Sequence, residues 1–151
     1  MKTVMTWIAI GLLALVLGLA AYVRLAPTDA ALWHVDPLIV AKPARPSHYL
    51  MRDGDGDGPA VDLGLSEEAA AAALAQIALA TPRTTVLAGE GGFVTYVTRS
   101  ALLGFPDFTS VRISPEGEGS RVAIFARSRF GESDMGVNRK RVEAWLSALP
   151  G

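Results

Sequence analysis

Residues 4–23 read VMTWIAIGLLALVLGLAAYV, a run without a charge or a proline. An α-helix rises about 1.5 Å per residue, so the run spans about 30 Å, the hydrocarbon thickness of a bilayer. Lys2 precedes it, and Tyr22 and Arg24 mark its far end, an aromatic and basic border suited to a membrane interface. The competing reading is a cleaved leader with its apolar region at Val4–Leu17 and a small-residue site at Gly18-Leu19-Ala20. Continuation of the run through Val23 favours an anchor, with residues 4–24 as the membrane contact. Arg24, Lys42 and Arg45 on the far flank argue weakly for an inward domain, but long translocated segments largely ignore such counts. Residues 26–151 are therefore expected to face outward.

The formal net charge is −1, so the chain has no global basic field of the kind that draws proteins to nucleic acid. It has no cysteine, which excludes disulfides, thiolate chemistry and lipid attachment at an N-terminal cysteine. The two histidines, His34 and His48, both precede the compact domain, so no Ser–His–Asp arrangement can be placed. Zinc ligands are equally scarce, and neither a metal nor a cofactor nor catalysis is expected. His34, beside Trp33, reads as an interfacial residue close to the membrane.

Past the apolar run, Asp29 and Pro37 bracket a short helix, and Pro37, Pro43 and Pro46 stiffen an extended connector. HYLMR (48–52) suits a first edge strand. Ser66 caps an alanine-rich helix, SEEAAAAALAQIALA, with Glu67 and Glu68 at the positive end of its dipole and Thr81-Pro82 as its stop. Four strands are predicted over 84–88, 93–100, 109–114 and 121–128, with turns at GEGG and PEGEGS and a turn at Pro106. Val122, Ile124 and Ala126 alternate with Arg121, Ala123, Phe125 and Arg127. A last helix is expected from about Met135 to Leu149, with Val142, Trp145, Leu146 and Leu149 on one side. The fold class is α+β: an N-terminal transmembrane helix, then a two-layer domain whose antiparallel four-stranded sheet is flanked by two helices. The domain boundaries are an anchor at 1–25, a linker with a short helix and an acidic loop at 26–62, and a compact domain at 63–151. One face of the sheet is left without a cover.

The loop DGDGDG (53–58) matches positions 1, 3, 5 and 6 of a helix–loop–helix calcium site through Asp53, Asp55, Asp57 and Gly58. Position 12 holds Gly64 instead of a bidentate glutamate, position 7 is Pro59, and no helix precedes the loop. A solvated acidic loop is the better reading.

The stretch RSRFGESDMGVNRKRVEAWL (127–146) concentrates charge ahead of the last helix. Together with FPDF (105–108), it resembles the domain-of-unknown-function family numbered 1499, loosely from Leu63 to Leu149. The matching residues are Ser128, Arg129, Gly131, Ser133, Asp134, Gly136, Asn138, Arg139 and Arg141, with Asp107 at the family's aspartate. The resemblance implies a membrane-associated or exported bacterial protein, here at the inner membrane with a periplasmic domain, and implies no activity.

Asp134, Asn138 and Arg141 fall at i, i+4 and i+7 and share a helix face, extended by Trp145. One reading is a polar joint in which Asp134 caps and Arg141 or Arg129 pairs with Asp107 or Asp134. The other is an anion site of helix amides with Arg129, Arg139 and Arg141. From Arg121 to Arg141 six bases face two acids, whereas Asp53 to Glu68 holds six acids and no base. A basic patch of that kind suits anionic lipid. Two functional readings follow. The first is a non-catalytic accessory or interaction protein docking on a membrane complex through the open sheet face or the basic helix. The second is a small anionic-ligand or lipid-binding module, its pocket lined by Phe93, Tyr96, Phe105, Phe108 and Phe125.

Overall fold

The computed structural model describes residues 2–150. Helix α1 (Lys2–Leu25) is continuous and carries a mean hydropathy of 2.4 over its apolar window, none of it buried. By length and composition it is long enough to cross a membrane, a property that a signal sequence shares. Asp29 caps α2 (Ala30–Trp33), its side chain accepting from the Ala31 amide at 2.9 Å.

The antiparallel sheet has six strands, not four: β1 (His48–Met51), β2 (Val61–Leu63), β3 (Thr84–Glu90), β4 (Phe93–Arg99), β5 (Pro106–Glu116) and β6 (Gly119–Ser128). Its order is β1-β6-β5-β4-β3, and β2 also pairs with β6. His48 to Met51 run opposite Arg127 to Ile124, and Val61 to Leu63 continue opposite Val122 to Ser120. The two additional strands are thus one edge strand interrupted by the acidic loop. The sheet consequently takes in residues from 48 onward, ahead of the expected start at 63. Pro106 lies within β5 instead of forming a turn, because at the strand's first position its missing amide costs no ladder bond. Both hairpins close over two residues, Gly91-Gly92 and Gly117-Glu118, with Gly91 and Gly117 at φ of 57°.

Helices α3 (Glu67–Ala80) and α4 (Val137–Ser147) cover one face of this sheet. Ala70, Leu74 and Ala78 bring α3 close to Val94, Tyr96, Val111 and Ile113, and Val142 and Trp145 of α4 join Val122, Ile124 and Ala126. Ser66 caps α3 as the sequence predicts, accepting from the Ala69 amide at 3.2 Å. Helix α4 is shorter at both ends than expected. Met135 and Gly136 lie in the left-handed region, at φ of 52° and 76°, and delay its start to Val137.

The opposite face is not open. The segment 30–47 lies across it as a strap. Trp33 stacks on Phe108 with ring centroids 4.0 Å apart, and His34 stacks on Phe93 at 3.9 Å. His34 Nδ1 also shares a 2.9 Å hydrogen bond with Thr95 Oγ1. This corrects the expectation that His34 is an interfacial residue, since the stacking and the bond fix it to the sheet.

The end of α1 is tied to the domain. Val23 and Ala26 are buried, Tyr22 meets Phe130 edge-on at 6.4 Å, and Arg24 Nη2 donates to the Leu102 carbonyl at 3.2 Å. Arg129 Nη1 donates to the Pro27 carbonyl at 3.0 Å.

Candidate functional site

The charged stretch before α4 resolves into one connected chain of bonds and several separate ones. Asp107 on β5 and Ser128 on β6 sit opposite each other in the sheet register, both facing the helices. Arg141 Nη2 donates to Asp107 Oδ2 at 2.8 Å and Nη1 to Asn138 Oδ1 at 2.9 Å. Asn138 Nδ2 in turn donates to Ser128 Oγ at 3.0 Å, and Asn138 is wholly buried. The side chains of Arg141 and Asp107 are 10% and 16% exposed, so this ion pair is largely shielded from solvent. The network fixes the first turns of α4 against two adjacent strands. One turn further on, Trp145 Nε1 donates to Thr81 Oγ1 at 2.8 Å and ties α4 to the end of α3.

Asp134 occupies the start of α4. Its two carboxylate oxygens accept from the Gly136 amide at 3.0 Å and the Asn138 amide at 2.9 Å, filling positions where an external anion would otherwise bind. Ser133 Oγ accepts from the Met135 amide at 3.2 Å, a local turn bond. The three arginines do not converge. Arg141 is paired with Asp107, Arg139 points outward and pairs with Glu143 at 2.7 Å, and Arg129 turns towards Pro27. Among the residues singled out in the sequence, Asp107, Ser128, Asn138 and Arg141 come together, and Arg129, Ser133 and Arg139 lie apart from them.

The five aromatic residues do not line one pocket either. Tyr96 packs edge-on to Trp145 at 5.6 Å on the helix face, whereas Phe93 and Phe108 lie under the strap and Phe105 packs on Phe130.

Arg127, which the motif reading passed over, is 6% exposed beneath the strap. Its guanidinium lies over the Phe125 ring, 4.5 Å from the centroid, and within 5.5 Å of Trp33 and 6.0 Å of Phe108. Nη1 donates to Ser110 Oγ and to the Phe125 carbonyl, both at 3.0 Å, and Nη2 donates to the Trp33 carbonyl. Among the described residues it makes no ion pair. Burial without a counter-charge pushes its pKa down to about 9. The available signal was the strand alternation, which sets Arg127 on the face opposite Ile124 and Ala126 next to Phe125.

The carboxylates of the acidic loop pair with bases outside it. Asp53 meets Arg121 at 2.8 Å, Asp55 meets Arg52 at 2.7 Å, and Asp57 meets Lys42 at 2.6 Å. Its carboxylates therefore diverge towards different bases, and no grouping of three metal-ligating side chains occurs among the described residues.

The chain is thus an α+β domain whose sheet is bolted to its last helix by a shielded polar network, behind an apolar N-terminal helix. Residues 38–149 match the family model described as protein of unknown function (DUF1499), well over half of the chain, and the protein belongs to that family. No curated protein and no solved structure matches it.

Proposed function

We propose that this protein is a non-catalytic accessory or interaction protein, anchored by α1 as a single pass in a bacterial inner membrane with its domain in the periplasm. The observation that carries the reading is the junction at the end of α1. The apolar window stands clear of the domain, while the next turn is bound to it through Val23, Tyr22 and Arg24. A leader destined for removal gains nothing from such contacts, whereas an anchor gains a fixed orientation of its domain against the bilayer. The non-catalytic part is supported by the use made of the reactive residues. Asp107, Asn138 and Arg141 satisfy one another, and His48 Nδ1 shares a 2.7 Å hydrogen bond with the Arg45 carbonyl.

The test is expression of the full chain in a bacterium, followed by alkaline carbonate extraction, intact-mass measurement and protease treatment of spheroplasts. The reading expects an unprocessed chain in the carbonate-resistant pellet whose domain is cut only after the outer membrane is opened. A soluble product shortened near Ala20 would overturn it.

A further inference from the structure

Where α1 leaves its apolar stretch, the domain presents a cleft of about 440 Å³ lined by Arg24, Arg83, Thr85, Arg99, Ser100, Ala101 and Gly104. Three arginines and no acid line it. None of the three is in an ion pair among the described residues. Each is steadied by a backbone carbonyl instead. Arg24 Nη2 donates to Leu102, Arg83 Nε donates to the Arg99 carbonyl at 3.0 Å, and Arg99 Nη1 donates to the Gly104 carbonyl at 3.0 Å. These bonds use one donor of the five on each guanidinium and leave its charge uncompensated. Register makes the cluster: Thr84 pairs with Thr98, so Arg83 and Arg99 adjoin at the ends of β3 and β4. Arg83 is one of two non-glycine residues with positive φ among the described residues, at 60°, a strained conformation retained where its side chain meets the cleft.

The cleft also has a defined depth. Residues 4–23 account for about 30 Å of apolar helix, which sets Arg24 at the level of the phosphates when that helix spans a bilayer. Beside it the loop 100–105 offers an apolar tip, with Leu102 87% exposed, and Leu25 is 80% exposed at the same end. An arginine cluster without counter-charges, flanked by exposed leucines at the border of a spanning helix, is the pattern of a headgroup clamp with its acyl chains alongside.

We propose that Arg24, Arg83 and Arg99 form a site for the phosphate of an anionic phospholipid in the bilayer that holds α1, with Leu102 inserted beside it. This rests on the anchored reading. It places the anion at the base of the anchor and not at the start of α4, where Asp134 already occupies the helix amides.

The full chain, reconstituted in nanodiscs of phosphatidylcholine with or without phosphatidylglycerol, tests it by native mass spectrometry of the lipids retained on release. Because the chain lacks cysteine, Leu102→Cys carries a nitroxide whose accessibility to oxygen and to aqueous nickel reads depth. The expected result is selective retention of phosphatidylglycerol, reduced about fivefold for each of Arg83→Gln and Arg99→Gln. Arg83→Lys should retain it. Arg121→Gln, at the opposite end of the strands, should leave it unchanged. The label at 102 should favour oxygen over nickel. Equal retention by the glutamine variants, or a water-exposed label in a chain that stays carbonate-resistant, would overturn the site while sparing the anchor. Displacement of the lipid by millimolar inorganic phosphate would assign the cleft to a soluble anion and overturn the lipid assignment. A chain released by carbonate would overturn both readings.

Discussion

Each face of the sheet holds a shielded arginine, and the two are accommodated by opposite means. On the helix face, Arg141 meets a carboxylate, Asp107, and an amide oxygen, Asn138. On the strap face, Arg127 meets carbonyls, a hydroxyl and three aromatic rings, and no carboxylate. Arg141 joins α4 to β5 through Asp107 and, through Asn138 on its own helix, to Ser128 of β6, so its loss is felt by the whole domain. Arg127 is held mostly by groups on its own sheet, and its one bond across the interface goes to the strap at Trp33. The difference separates a joint that maintains the fold from a latch that retains one segment.

The largest effect is therefore expected at Arg141. Arg141→Ala leaves Asp107 shielded without its partner and Asn138 with a free acceptor. It should cost about 3 kcal/mol, lowering Tm on the order of 10 °C. Asp107→Ala on the same background should add little, since the pair acts as a unit. A variant melting with the parent would show that the network is ornamental and would remove the contrast between the faces.

Arg127→Met sharpens the same contrast at a smaller scale. The substitution removes a buried charge without a counter-charge, which offsets much of the lost hydrogen bonding. A net cost of about 1 kcal/mol is expected. The effect should be local: amide exchange and proteolysis should rise in residues 30–47 while the strands and α4 remain protected. Loss of protection across β4 and β5 would make the strap part of the main cooperative unit.

These two faces also differ in how far the sequence discloses them. The helix face was legible because it obeys periodicity: Val122, Ile124 and Ala126 alternate along β6, and Leu74 lies within the buried stripe of α3. Asp107, Asn138 and Arg141 could be named because motif and helical spacing coincide. The strap face obeys no period. Its cover is a proline-rich segment whose only cues are an aromatic pair, Trp33-His34, and a cap at Asp29, so it read as a linker and the face as open. Of the interrupted edge strand, HYLMR was legible as its first half, and the second half was hidden for a related reason. Strand β2 has only three residues, and only pairing with β6 reveals that β1 and β2 share one line. The cleft brings Arg24 to Arg83 and Arg99 at the end of the β3–β4 hairpin, far along the chain, with no local pattern to announce the meeting.

The smallest expected effect lies at the edge of the strap face, where Lys42, at the strap's far end, is held by Asp57. Burial disfavours the charge on Asp57, but the bond to Lys42, the Leu50 amide donating at 2.8 Å and the nearby His48 outweigh it and hold the carboxyl below its ordinary pKa. A carboxyl with a depressed folded pKa binds protons more readily when unfolded. Its stabilisation is therefore complete above the unfolded value, about 3.9, and is lost as pH falls through the folded one. Asp57→Asn should melt below the parent at pH 7, and the difference in Tm should shrink towards zero as the pH is taken from about 4 downward. His48 lies 3.4 Å away, so His48→Gln provides the companion measurement and should leave that acid window in place. A difference between parent and Asp57→Asn that stays constant down to pH 2 would mean that Asp57 acts by packing alone and that the strap's end is not held by charge.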